Sequence, residues 1–172
     1  LNSSIKALDI DGVKASAENV KNGSYKISRP FNIATKGEPT GLAKDFIAFI
    51  LSKDGQAVVG KSYIAVKEGA APYAGGKMSG KITVAGSSSV SPIMEKLKEA
   101  YVAKNPNAVI EVQMSDSTAG MTGAMNGTCD IGMSSRALKD SEKAKLTEIA
   151  IAHDGIAVIV NNKNPLANLS NE

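Results

Sequence analysis

Three short stretches of this 172-residue chain carry side chains suited to holding a small oxyanion. The first is Gly86-Ser87-Ser88-Ser89-Val90, followed directly by Ser91-Pro92. A run of hydroxyls ahead of a helix that opens on proline offers Ser O–H donors, backbone N–H groups and the positive end of a helix dipole. A flexible turn with a helix cap accounts for the same residues. The stretch ends in neither Gly-Lys-Ser/Thr nor GxGxxG, which disfavours a nucleotide. The second, Ser115-Asp116-Ser117-Thr118-Ala119-Gly120, adds hydroxyl donors before another helix, and a capped helix start explains it equally well. The third, Asp130-Ile131-Gly132-Met133-Ser134-Ser135-Arg136, supplies an acid and then hydroxyls. Asp130 either caps a turn or faces the anion. In the second case the carboxylate only accepts, so the ligand must carry a proton. Hydrogen phosphate has one; sulfate at neutral pH does not and leaves the two anions facing each other.

Other chemistry is sparse. Cys129 lies among apolar residues and reads as a buried structural thiol. As the sole cysteine it excludes an intrachain disulfide and a Cys-rich zinc site. His153, the sole histidine, reads as a turn residue, with nothing tying a serine to it as in a Ser-His-Asp triad. No metal, cofactor or enzymatic activity is expected. Met114, Met121, Met125 and Met133 read as core filler, and Lys139 to Lys145 as a solvated helix face. The net charge of +3 comes from scattered lysines without a basic run, so no nucleic-acid partner is expected. No run approaches ~18 apolar residues, so no membrane insertion is expected. No signal peptide is visible at Leu1-Asn2-Ser3-Ser4, so the compartment cannot be read from it.

The elements that must position these stretches follow from periodicity. Residues 5–10 alternate and stop at Asp11-Gly12; residues 16–20 form a short helix ended by Asn22-Gly23. Tyr25, Ile27, Phe31, Ile33 and Thr35 at period two predict a strand, placed at an edge or kinked by Pro30. Thr40 is expected to cap a helix from Gly41. A second helical stretch runs from Asp54 to about Lys61, and a strand-like patch covers residues 63–66. Residues 67–80, with four glycines and no periodicity, read as a linker. Beyond it strands at 82–85, 108–114, 129–133, 149–151 and 155–160 alternate with helices from 91, over 118–126 and over 138–147. Strands alternating with helices imply a mostly parallel sheet covered on both faces, with ligands at the strands' C-terminal ends.

With these loops in place, residues 81–169 closely resemble the N-terminal part of the phosphate-binding proteins of bacterial ABC transporters, in the type II periplasmic binding protein superfamily. The resemblance rests on Ile82 to Pro92, on Gly127-Thr128-Cys129-Asp130-Ile131-Gly132-Met133-Ser134-Ser135-Arg136 and on Asp154-Gly155-Ile156-Ala157-Val158-Ile159-Val160-Asn161. Residues 1–66 resemble the same family's C-terminal part through Ser28-Arg29-Pro30-Phe31, Thr35 to Ala43 and Ser52-Lys53-Asp54-Gly55-Gln56. Relative to the family the order is reversed, and a second lobe is missing between the two segments.

The resemblance implies a three-layer α/β/α single lobe over residues 1–172, mostly parallel with one antiparallel strand, circularly permuted through the 67–80 linker and of engineered origin. It implies phosphate contacts from Ser89, the Val90 backbone N–H, Ser117 and Asp130, with Ser87, Ser88 and Ser134 weaker candidates by proximity. The second lobe brings the family's Arg and Ser-Gly-Thr donors, and Arg136 does not replace them. Each hydrogen bond to a charged group is worth about 1.5–3 kcal/mol. Losing three or four predicts weak phosphate binding, roughly millimolar or worse. The parent is expected to be extracytoplasmic, periplasmic or lipid-anchored, and to dock on an ABC transporter permease. Alternative readings are a permuted scaffold with no useful affinity, self-associating as a homodimer through the exposed cleft face, and a junction between tandem binding-protein copies, against which the hinge-matched ends argue.

Overall fold

A computed structural model describes residues 3–171. In chain order the elements are β1 (Ile5–Ala7), β2 (Asp9–Ile10), α1 (Ala17–Lys21), β3 (Ser28–Thr35), α2 (Gly41–Leu51), α3 (Lys53–Val59), β4 (Ile64–Ala65), β5 (Ser79–Ser87), α4 (Ser91–Lys104), β6 (Asn107–Ser115), α5 (Ser117–Asn126), β7 (Ile131–Ser134), α6 (Asp140–Lys143), β8 (Thr147–Gly155), β9 (Ile159–Asn161) and β10 (Asn168–Leu169). Among the described residues no helix is long and apolar enough to cross a membrane.

The chain groups into two compact units. The smaller holds the chain up to Arg29 together with the chain from His153 onward; the larger is Pro30–Ala152. The boundaries fall inside β3 and β8, not at the composition breaks near 66 and 80. In the smaller unit β1 pairs antiparallel with β9, and β2 pairs parallel with β10. The Asp11-Gly12 turn has both residues at positive φ. Tyr25 is buried and donates its hydroxyl to the Ile156 carbonyl at 2.9 Å. Arg29 pairs with Asp154 at 2.8 Å.

The six-stranded sheet runs β4-β8-β3-β7-β5-β6. Strands β6, β5 and β7 are parallel, and β3 is antiparallel to β7. Alternate strand residues face opposite sides. Ile33, Val84 and Met133 join the core under α2, α3 and α4, whereas Ala34 and Ala85 join a second cluster with Met121 and Ala124 of α5, Leu138 and Leu146. The fold is therefore a three-layer α/β/α arrangement, as the alternation of elements predicts.

Several local expectations change. β3 lies inside the sheet, not at its edge; its pairing with β7 runs over Asn32 to Ala34, beyond Pro30. Thr40 precedes α2 without a side-chain cap, while the Ser52 hydroxyl caps α3 through Gly55 N–H. The helix expected over 138–147 is reduced to α6, because residues from Thr147 enter β8. β8 runs unbroken to Gly155, so His153 sits in a strand and not in a turn.

The 67–80 stretch is held in place. Tyr73 stacks edge-on against Phe49 at 5.2 Å, its hydroxyl donates to Asp45, and its amide donates to Asp54 at 2.9 Å. The Tyr101 hydroxyl shares the Asp45 carboxylate at 2.6 Å, and burial pushes both phenols' pKa values upward. Asn105 Oδ1 receives the Met78 amide at 3.0 Å. Glycine content signals freedom, but the anchored Tyr73 ring and the backbone bonds of Ala71 and Met78 remove it.

Candidate functional site

Parallel pairing sets where the three loops emerge. Ser87 at the end of β5 is in register with Ser115 at the end of β6, and Gly86 with Met133 near the end of β7. Adjacent strands lie about 4.8 Å apart, so the three strand ends share one rim. α5 is drawn onto that rim by three glycines meeting backbone to backbone. A Cβ on Gly120 would stand 2.7 Å from Gly86 Cα and 2.8 Å from the carbonyl oxygens of Ala85 and Met133. A Cβ on Gly132 would stand 2.6 Å from the Gly120 carbonyl oxygen. Gly86, at φ +136, additionally adopts a conformation that side-chain-bearing residues rarely take.

The loops themselves are tied down locally. The Ser87 carbonyl accepts from the Val90 amide at 3.0 Å and from the Ser91 hydroxyl at 3.1 Å. The Ser88 amide donates to the Ser115 carbonyl at 2.9 Å, carrying the β5–β6 pairing one residue further. Ser88 is exposed and Ser89 half-buried on the way into α4. Asp116 caps α5 by accepting from Ala119 N–H at 2.9 Å. Ser117 Oγ then accepts from the Ser135 amide at 3.1 Å and lies 3.4 Å from Ser135 Oγ, joining the second loop to the third. The first-turn amides of α4 and α5 precede the intrahelical ladder and point along the helix axes toward this rim.

The rim therefore gathers the hydroxyls of Ser88, Ser89, Ser117 and Ser135 with two helix N-termini. Three expected contacts change. Val90 N–H is engaged in the turn with Ser87. Ser134 is fully buried; its hydroxyl donates to the Arg136 carbonyl at 2.8 Å and accepts from the Arg136 amide at 3.2 Å, closing a turn. Asp130 lies before the first residue of β7, at the opposite end of the parallel strands, where its carboxylate accepts from Thr83 N–H at 2.7 Å. There it lines a 390 Å³ groove with Lys36, Thr40 and Lys81, away from the hydroxyls. Ser87 is buried at the base of the first turn.

Ser135, which the sequence pattern does not single out, joins Ser117 at this rim. Its signal was its place, one residue beyond a strand end, matching Ser88 beyond β5. Arg136 also belongs to this end: its guanidinium forks onto Glu142, both contacts at 2.8 Å, and reaches Thr118 Oγ1 at 3.3 Å. The arginine beside it holds the Glu142 carboxyl down at about 2. Cys129 is free and buried, and desolvation pushes its thiol pKa upward, as befits a structural residue.

Comparison with known proteins agrees with this architecture. A family model described as a PBP superfamily domain matches residues 71–172. A Streptococcus agalactiae serotype V protein named phosphate-binding protein PstS 2 is 53% identical over 172 residues, which is 99% of this chain and 59% of that protein. The Streptococcus pneumoniae serotype 4 protein of the same name is 48% identical over 171 residues, with the same coverage of both chains. The chain thus spans 59% of the length of these curated relatives. The crystal structure of a phosphate-binding protein of a phosphate ABC transporter from S. pneumoniae superposes with a TM-score of 0.95 at 48% identity, over 99% of this chain and 66% of that one.

Proposed function

Because the chain belongs to the PBP superfamily, we propose that its larger unit is one half of an inorganic phosphate site, with Ser88, Ser89, Ser117, Ser135 and those first-turn amides of α4 and α5 that no cap or turn engages as donors. The observation that carries the reading is the joining of Ser117 to Ser135 at the strand ends, next to two helix N-termini. Hydroxyl and amide donors at helix N-termini suit a tetrahedral oxyanion.

The relatives named for phosphate binding are longer than this chain, and we read the remaining donors as lying in their unmatched sequence. On this reading the smaller unit, entered through β3 and β8, is the root of the second lobe. The segment order is read as inherited and not engineered, since one alignment follows a natural streptococcal protein through 99% of the chain. The 172 residues alone are expected to bind phosphate weakly, at roughly millimolar affinity, because several charge-assisted hydrogen bonds are missing. The complete protein is read as an extracytoplasmic, non-enzymatic binding protein that delivers phosphate to an ABC transporter.

Amide NMR titration with inorganic phosphate tests the site. Shifts centred on Ser88, Ser89, Ser117 and Ser135 support it; shifts centred on Asp130 or Lys81, or none at tens of millimolar, refute it. Sedimentation in the same buffers separates weak monomeric binding from self-association without affinity.

A further inference from the structure

Arg136 is the only arginine in the larger unit, and its donors are distributed unusually. Nη1 and Nη2 each donate to one oxygen of Glu142 at 2.8 Å. The same two nitrogens also reach the Ala137 carbonyl at 3.0 Å and Thr118 Oγ1 at 3.3 Å. Glu142 is 4% exposed and additionally accepts the Lys139 amide at 2.7 Å. The backbone of Arg136 is fixed too, its carbonyl accepting from Ser134 Oγ at 2.8 Å and from the buried Asn32 side chain at 3.3 Å. The consequence is a two-rung tie between loops. Ser135 N–H bonds Ser117 Oγ, and the next residue of each pair, Arg136 and Thr118, bonds alongside. One rung carries the hydroxyls of the site; the other carries none and is anchored on a buried carboxylate.

We propose that Arg136, clamped by Glu142, is the positioning residue that fixes the separation of Ser117 and Ser135 and thereby the grip of the half-site on a tetrahedral oxyanion. This rests on the half-site reading above. The role needs the planar fork of arginine, which meets both carboxylate oxygens and still reaches Thr118; a lysine ammonium carries the same charge but cannot hold that geometry.

The test uses amide hydrogen exchange without ligand and phosphate titration with ligand. In the paired variant Arg136→Met with Glu142→Leu, apolar replacement of both partners leaves no unpaired buried charge. Ser135 amide exchange is expected to quicken about tenfold while Ile131 and Met133 stay unchanged. The phosphate Kd is expected to rise about fivefold. R136K is expected to lose affinity similarly, since charge without the fork does not restore the tie. Affinity fully rescued by R136K, or Ser135 exchange unchanged in the paired variant, overturns the proposal. Should the paired variant unfold, Thr118→Val decides: it is exposed and leaves the ion pair intact, and unchanged Ser135 exchange there overturns the proposal as well. A wild-type chain with no phosphate-induced shifts refutes the half-site reading, while the ligand-free exchange arm still decides the positioning role.

Discussion

Replacing Gly120 by alanine sets two effects against each other. Helix propensity alone favours Ala over Gly in α5 by about 1 kcal/mol. The new Cβ, however, meets Gly86 Cα at 2.7 Å and two backbone carbonyl oxygens at 2.8 Å. None of these atoms is the end of a flexible side chain, so relief requires α5 to move away from β5 and β7 by about 0.5–1 Å. Overpacking of this kind costs about 1–3 kcal/mol, and three simultaneous backbone contacts put it at the upper end. The net expectation is a loss of about 1–2 kcal/mol, or about 3–6 °C in Tm for a chain of this size. Because Ser117 rides on the first turn of α5, phosphate affinity should fall with it, by about tenfold for a displacement near 1 Å. Thr122→Ala, exposed on the same helix, is the control: it gains propensity without a clash and should raise stability by a few tenths of a kcal/mol. Urea denaturation and phosphate titration measure both quantities. Gly120→Ala as stable as Thr122→Ala, with undiminished affinity, refutes the claim that backbone contact between three glycines assembles the rim.

Further outcomes follow from the same geometry. Asp130→Ala is expected to leave phosphate affinity within about twofold while losing about 1 kcal/mol through the Thr83 amide; a collapse of binding in the titration reinstates Asp130 as a ligand. Tyr73→Phe should cost about 1 kcal/mol and Tyr73→Ala about 2–4 kcal/mol, and limited proteolysis should cut Tyr73→Ala, not wild type, within residues 67–78. Glu142 has a folded-state pKa of about 2 against an ordinary 4.5. Its depression therefore stabilises the fold fully above the ordinary carboxylate range, and that stability is lost as pH falls from about 4.5 through about 2. Urea midpoints should decline over that window in wild type, by on the order of 3 kcal/mol from this group, and that component should vanish in Glu142→Gln. A thiol reagent should label Cys129 only as the chain unfolds; fast labelling of the native protein contradicts its burial.

The sequence by itself determined the order of elements and the identity of the loops that matter. Period-two apolar runs placed the cores of β5, β6 and β7 within a few residues, and Ser91-Pro92, Asp116 and Gly127 marked helix ends by local chemistry that needs no distant partner. Only the tertiary structure decided which loop residues meet. Asp130 and Ser134 look equally available in a string, yet β7 carries them to opposite ends of the sheet, because a parallel strand sends its first residue to one rim and its last to the other. Likewise Gly69, Gly75 and Gly76 suggested slack, and Tyr73 seated against Phe49 and Asp45, with the backbone bonds of Ala71 and Met78, removed it. Gly86 reads as a loop residue, Gly120 as part of a helix and Gly132 as part of a strand, and their role is contact between backbones from those three separate elements. Local signals are set by neighbours a few residues away; the choice between ligand, cap and packing surface depends on atoms tens of residues distant, which only the folded chain brings within reach.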